Sequence, residues 1–157
     1  MECGCCGKEN QLLRASLLFE GRSIVLYYEI HPVENSANAE VHEQFLKRLK
    51  EIIPVGKKVT IVTDAGFKTS WFQSVSKQGW FYIARVRGLI YCSLDDQPWD
   101  EVSSLFPMVR RGHTISLGEG ALGKKSKTSI RGLFIGHYGV KKDGKQPKFV
   151  FLMPIEN

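Results

Sequence analysis

Apolar and polar positions along this chain fall into blocks whose period changes from strand-like to helical and back. Residues 11–19 (QLLRASLLF) and 23–30 (SIVLYYEI) are apolar runs rich in aliphatic and aromatic side chains, and Glu20-Gly21-Arg22 separates them. A glycine at that point suits a tight turn, so the pair predicts a β-hairpin. The second run sets Ile24, Leu26, Tyr28 and Ile30 on one face and Val25, Tyr27 and Glu29 on the other. With Glu29 its only charge, both faces are expected to be largely covered. Pro32 closes the run, and Asn35 or Ser36 is placed to cap a helix. From residue 39 to 53, Val41, Phe45, Leu46, Leu49, Ile52 and Ile53 recur at helical spacing, while Glu40, Glu43, Lys47, Arg48 and Lys50 take the opposite face. Pro54 and Gly56 end that helix.

A β-branched run at 58–63 leads into Asp64-Ala65-Gly66-Phe67. A short helix over 69–77 turns Trp71, Phe72 and Val75 inward and stops at Gly79. Residues 80–86 (WFYIARV) form the next strand, and Gly88 is expected to turn it into a hairpin partner at 89–92. The order β-β-α-β-α-β predicts an α/β sheet opened by a hairpin. Beyond Ser93 the helical period disappears. Short apolar runs at 114–117, 129–138 and 149–153 predict a small antiparallel β region, with the Asp143-Gly144 pair turning a hairpin loop at 141–145.

A length of 157 residues is that of one domain. No apolar run approaches the roughly 20 residues that span a bilayer, and the first residues lack the plan of a signal peptide; a cytoplasmic protein is expected. Cys3, Cys5 and Cys6 stand too close together to close a useful loop, and with Cys92 they match no usual zinc spacing. They read as reduced thiols. His31, His42, His113 and His137 are scattered, with no pair at metal-ligand spacing. Charge changes the picture more. Residues 109–148 hold ten Lys/Arg against Glu119 and Asp143, a local balance of +8 that leaves −2 for the rest of a chain whose total is +6. Such asymmetry fits a polyanion partner, and equally a solvated basic loop.

The candidate chemistry centres on Asp64. A lone carboxylate delivered by a strand onto a glycine turn is where a metal-dependent phosphoryl-transfer enzyme keeps a ligand, although an aspartate before a glycine also serves simply to form turns. The run VTDAGFKTSWFQSVSKQGWFYIARVRG, residues 62–88, resembles bacterial insertion-sequence transposases of the DDE class. The nearest likeness is to the cut-and-paste group of the tetracycline-resistance transposon. The hairpin sequence LLRASLLFEGRSIVLY and the helix ending at Pro54 resemble the segment preceding that motif. The resemblance covers residues 8 to 100 well and the remainder poorly.

The resemblance implies a partial RNase H-like mixed sheet with flanking helices over residues 8–92, and an incomplete, basic β insertion over 93–157. It implies three carboxylates holding two divalent ions, usually Mg²⁺, for in-line phosphoryl transfer. Asp64 corresponds to the second aspartate, both catalytic and metal-binding. The family's first aspartate lies on a strand before the stretch resembling residues 7–13, for which residues 1–4 are expected to leave no room. Its glutamate lies on a helix beyond the insertion, and Glu156 has none of the motif that surrounds it. In an RNase H-like sheet the first strand is central, so its loss is expected to leave a gap that must close or borrow a strand.

The same resemblance sets Arg85 and Arg87, alternating on one strand face, beside the DNA channel, with Lys68 after the catalytic turn. Arg110, Arg111, Lys124, Lys125 and Lys127 of the insertion become candidate phosphate partners. Trp71, Trp80 and Trp99 are able to stack on bases, but the first two sit in apolar runs that read as core. The chain is therefore expected to be a transposase fragment, inactive alone, that acts on transposon-end DNA as a homo-oligomer or paired with a full-length transposase. The alternative is a non-catalytic DNA-binding or regulatory remnant.

Overall fold

Glu20 and Gly21 both adopt positive φ, +48° and +74°, which is the turn geometry whose twist matches that of two antiparallel strands. They join β2 (Asn10–Phe19) to β3 (Arg22–Pro32), so the hairpin forms where the apolar runs place it. The computed structural model describes residues 2–5, 9–36, 38–110, 113–123, 129–138 and 148–155. They belong to two compact units, Met1–Trp80 and Phe81–Asn157. The architecture is mixed α/β, as the element order predicts, and agrees with a partial RNase H-like fold.

In the first unit a short strand, β1 (Glu2–Cys5), lies antiparallel to β2, with Glu2 opposite Arg14 and Cys5 opposite Gln11. This strand of four residues carries no aspartate and pairs with residues 11–14 of β2. Helix α1 (Ala39–Ile52) follows β3. Its cap is Asn38 rather than Asn35 or Ser36: the Asn38 side chain accepts hydrogen bonds from the Glu40 N–H at 2.9 Å and the Val41 N–H at 3.4 Å, satisfying two of the helix's orphan donors. Residues 33–35 instead form a 3-10 turn. The buried face of α1 carries His42, Phe45, Leu46 and Leu49, whereas Ile52 stays 48 % exposed. Strand β4 (Thr60–Thr63) and helix α2 (Thr69–Lys77) complete the unit. Helix α2 buries Trp71, Phe72 and Val75 against α1, and it ends where Gly79 takes φ +77° and its N–H reaches the Ser76 carbonyl.

The hairpin is covered less than its sequence promises. Leu13, Ala15 and Gln11 of β2 are buried, but Ile24, Val25, Leu26, Tyr28 and Ile30 of β3 are all exposed, as are Leu17 to Phe19 at the tip. One helix spans only the base of an eleven-residue strand, and on one face only. What it covers is organised around Glu29. The Glu29 carboxylate accepts from Tyr27 Oη at 2.5 Å and Arg48 Nη1 at 2.8 Å, and pairs with His31 Nε2 at 2.6 Å, joining β3 to α1. The ring of Tyr27 packs on Phe45 with centroids 5.1 Å apart.

The second unit is an antiparallel ladder in the order β5 (Phe81–Val86), β10 (Lys148–Met153), β9 (Ile130–Tyr138), β8 (Thr114–Leu122), β6 (Tyr91–Leu94) and β7 (Asp100–Glu101). The expected pairing of 89–92 with the preceding strand does not form; β6 pairs with β7 and β8, and β5 receives β10. Four residues link β5 to β6, yet Arg87 to Ile90 fold into a turn whose Gly88 carbonyl is taken by the Ser103 N–H, leading the chain away from its own strand. Residues 141–145 lie outside the described residues, though the flanking strands β9 and β10 do pair antiparallel. Glycines set the spacing of this ladder: a Cβ on Gly132 would stand 2.3 Å from the Met153 carbonyl oxygen, and one on Gly120 2.2 Å from that of Ser93.

Burial opposes ionisation of Glu29, but the hydrogen bonds from Tyr27, Arg48 and His31 and the charge of Arg48 outweigh it, holding its carboxyl below the usual range. A pKa depressed in the folded state stabilises fully above the unfolded value of about 4.3 and is lost as pH falls through the lower, folded value. In urea titrations across that acid range, Glu29→Gln should show a flatter decline of unfolding free energy than the wild type.

Candidate active site

Strand β4 ends at Thr63 and hands the chain to a turn at Ala65-Gly66. Asp64 Oδ1 accepts the Gly66 N–H at 2.9 Å, the Asx-turn bond that aspartate makes more readily than most residues. A Cβ on Gly66 would lie 3.0 Å from that same oxygen, so glycine gives the carboxylate room to fold back. The turn leaves Asp64 exposed and sends the next large side chain, Phe67, inward to 5 % exposure. One oxygen of Asp64 forms the turn, and the side chain remains open to solvent.

What holds the turn is aromatic. Phe67 packs on Trp71 with centroids 4.5 Å apart, and His42 of α1 closes the group, 5.7 Å from Phe67 and edge-on to Trp71 at 5.2 Å. Burial, with His31 and Lys68 nearby, holds His42 below its ordinary pKa against the opposing bond to the Ser36 backbone, so the ring packs as a neutral aromatic. Trp71 Nε1 and Thr63 Oγ1 are buried in this region without a hydrogen-bond partner among the described residues. Lys68 lies exposed at the start of α2, and its carbonyl accepts the Trp71 N–H at 3.0 Å.

An exposed carboxylate is a suitable hard donor for a divalent ion such as Mg²⁺. The fit is in kind and not in number, because among the described residues no group of three or more His, Cys, Asp or Glu stands together. Asp64 by itself does not make a metal site among the described residues.

In the second unit Arg85 is exposed on β5, its guanidinium 5.3 Å from the centroid of the Phe149 ring, a stacking contact that orients it. Arg87 is exposed too, just beyond the end of β5 at Val86, where it heads the following turn. Arg110 is exposed beside Met108 and Ile115 at a cavity of about 410 Å³. Arg111, Lys124, Lys125, Lys127 and Glu156 lie outside the described residues. Trp71 and Trp80 are core, as their periodicity predicts, and Trp99 is half-buried. Cys92 is buried, and burial, with Asp100 adding to it, pushes its thiol up to about 11; a thiol so placed is inert. Cys6 lies outside the described residues, and β1 contains Cys3 and Cys5. Sequence reasoning missed the Glu29 cluster and the packing of His42. The first had a signal, a single carboxylate in an otherwise apolar strand; the second had none beyond its place on the inner face of the helix.

No helix among the described residues is long and apolar enough to cross a membrane. Residues 3–130 match the profile of a protein family described as "Transposase DDE domain". No curated protein and no solved structure matches the chain.

The turn and its aromatic bracing separate cleanly by substitution. Phe67→Ala should lower the unfolding free energy by about 3–5 kcal/mol in chemical denaturation, through the cavity it opens. Asp64→Asn keeps the turn acceptor and removes the charge, and should cost under about 1 kcal/mol.

Proposed function

The chain belongs to the transposase DDE-domain family, and from that membership we propose that it is the part of a cut-and-paste, insertion-sequence transposase that carries the second catalytic aspartate, Asp64. The family acts on DNA and uses a divalent metal. The observation that carries the proposal is the pairing of an exposed carboxylate with a buried aromatic anchor at the end of β4. Such a site presents a fixed oxygen donor at the surface, where DNA can reach it. When bound, a divalent ion supplies Lewis-acid stabilisation of charge on a transferring phosphoryl group. Asp64 holds one position of that ion's oxygen shell, and Mg²⁺ is the proposed ion. Further carboxylates must complete the shell, and that no such group stands together among the described residues supports the reading that this polypeptide does not cleave DNA alone.

Arg85, Arg87 and Lys68 are the proposed phosphate contacts, and Arg110, Arg111, Lys124, Lys125 and Lys127 extend the basic surface of the insertion. Contacts of this kind position a duplex without reading its sequence. Residues 8–92 serve as the core and 93–157 as the DNA-holding region. The substrate is transposon-end DNA in the cytoplasm, engaged by an assembly of two copies or of this chain with a longer transposase.

Duplex DNA binding should weaken linearly on a log–log plot against salt. The double variant Arg85→Ala/Arg87→Ala should reduce that slope by about 1 to 2 if each arginine meets one phosphate; an unchanged slope removes them from the interface. The purified polypeptide should not nick duplex DNA in Mg²⁺, and Mg²⁺-dependent nicking that disappears in Asp64→Ala would show the chain to be catalytically sufficient and overturn the reading.

A further inference from the structure

We propose that His42 is a positioning residue for the Asp64 turn: its neutral ring clamps Phe67 and Trp71, and when it takes up a proton the clamp loosens and the turn with it. Phe67 stands between the two residues that the proposed function draws from this turn, Asp64 before it and Lys68 after it. Its ring is buried, so it fixes the chain on both sides. On one side Asp64 folds back onto the Gly66 N–H; on the other the Lys68 carbonyl accepts the Trp71 N–H and opens α2. Phe67 and Trp71 are only four positions apart, so their contact holds the segment to itself. His42 grips it from outside. It belongs to α1, and its ring meets Phe67 at 5.7 Å and Trp71 edge-on at 5.2 Å, which ties the turn to the long helix.

An apolar side chain would clamp as well; a histidine adds a titration. The ring is 6 % exposed. Burial opposes a charge on it, and so do protonated His31 of β3 and Lys68 at the head of α2, while the bond to the Ser36 backbone, just ahead of α1, acts the other way. Above about pH 6.5 the ring is neutral whether the clamp is closed or open. Below that value an open clamp lets the ring meet water and charge, whereas the closed clamp resists. Each further fall in pH therefore favours opening, until the closed-state value is passed. Opening frees Phe67, and with it Asp64 and Lys68 lose their fixed places. The turn thus offers its oxygen donor and its phosphate contact together at neutral pH and withdraws them in acid. That consequence rests on the roles proposed for Asp64 and Lys68; the clamp itself does not.

The test uses neither metal nor DNA: the isotope-labelled intact chain is followed by NMR from about pH 8 to about pH 5, a range that brackets the ordinary histidine titration. The Gly66 amide reports the bond to Asp64, and the Trp71 indole N–H reports the ring group. Both should shift with one midpoint below about pH 6.5, shared with the His42 ring itself, and Gly66 should move upfield as its hydrogen bond lengthens. His42→Phe, which keeps a ring that does not ionise, should hold both signals constant over that range. His42→Leu should do the same where the larger ring does not fit. His31→Gln, which removes a neighbouring charge, should move the midpoint up. A failure of Asp64 to bind metal would leave all of these signals as they are. The proposal is overturned if Gly66 stays fixed while His42 titrates, or if Gly66 still shifts in both His42 variants. It is overturned equally if the His42 ring takes up no proton above about pH 5.

Discussion

The first unit depends on the burial of one aromatic group, in which Phe67 and Trp71 are gripped by α1 through His42 while Phe45 takes up Tyr27 on the neighbouring flank. Each large aromatic ring removes on the order of 150–250 Å² from water, worth several kcal/mol at about 25 cal/mol per Å². That burial joins elements distant in the chain: a strand from the hairpin, the long helix, the turn after β4 and the start of α2. The carboxylate of Asp64 has no buried partner of its own. It keeps its place because the residue three positions later cannot leave the core without exposing the whole group.

Polar interactions refine this arrangement without driving it. Glu29 sits among three donors and links β3 to α1, but Arg48, one of those donors, is more than half exposed, so solvent screens much of the attraction. The network's greater effect is on register. The strand position that carries Glu29 can face only the side where Arg48 awaits it, and a one-residue slip would turn the carboxylate to the opposite face. The second unit works differently. Its strands are held by an antiparallel ladder, and glycines let neighbouring strands approach closely, while Arg85 of β5 and Arg110 lie at the surface.

Much of this was legible along the chain. The helix over residues 39–53 announced itself by its 3.6-residue period and its Pro54 stop, the hairpin by Gly21, and α2 by Trp71, Phe72 and Val75 ahead of Gly79. Asp64 stood out because a β-branched run ended on it and a glycine came soon after. The errors share a physical origin. Asn38 rather than Asn35 caps α1 because residues 33–35 close into a 3-10 turn, a competition that spacing does not reveal. Leu89 to Cys92 looked like the partner of the strand before them, but β6 pairs instead with β7 and β8, the latter well downstream in the chain. Ile24 to Ile30 looked covered on both faces, because apolar composition records what a strand is able to bury and not what reaches it.

The order of elements, their approximate ends, the aspartate turn and the basic bias of the C-terminal half were therefore properties of the sequence itself, since each arises from local backbone preference, periodicity or charge. Tertiary structure alone decided which strands pair, which face of the hairpin meets the helix, and that His42 belongs to the aromatic core. Those outcomes turn on contacts between residues far apart in the chain, where several pairings satisfy the same local pattern and only the packing of the whole unit selects among them.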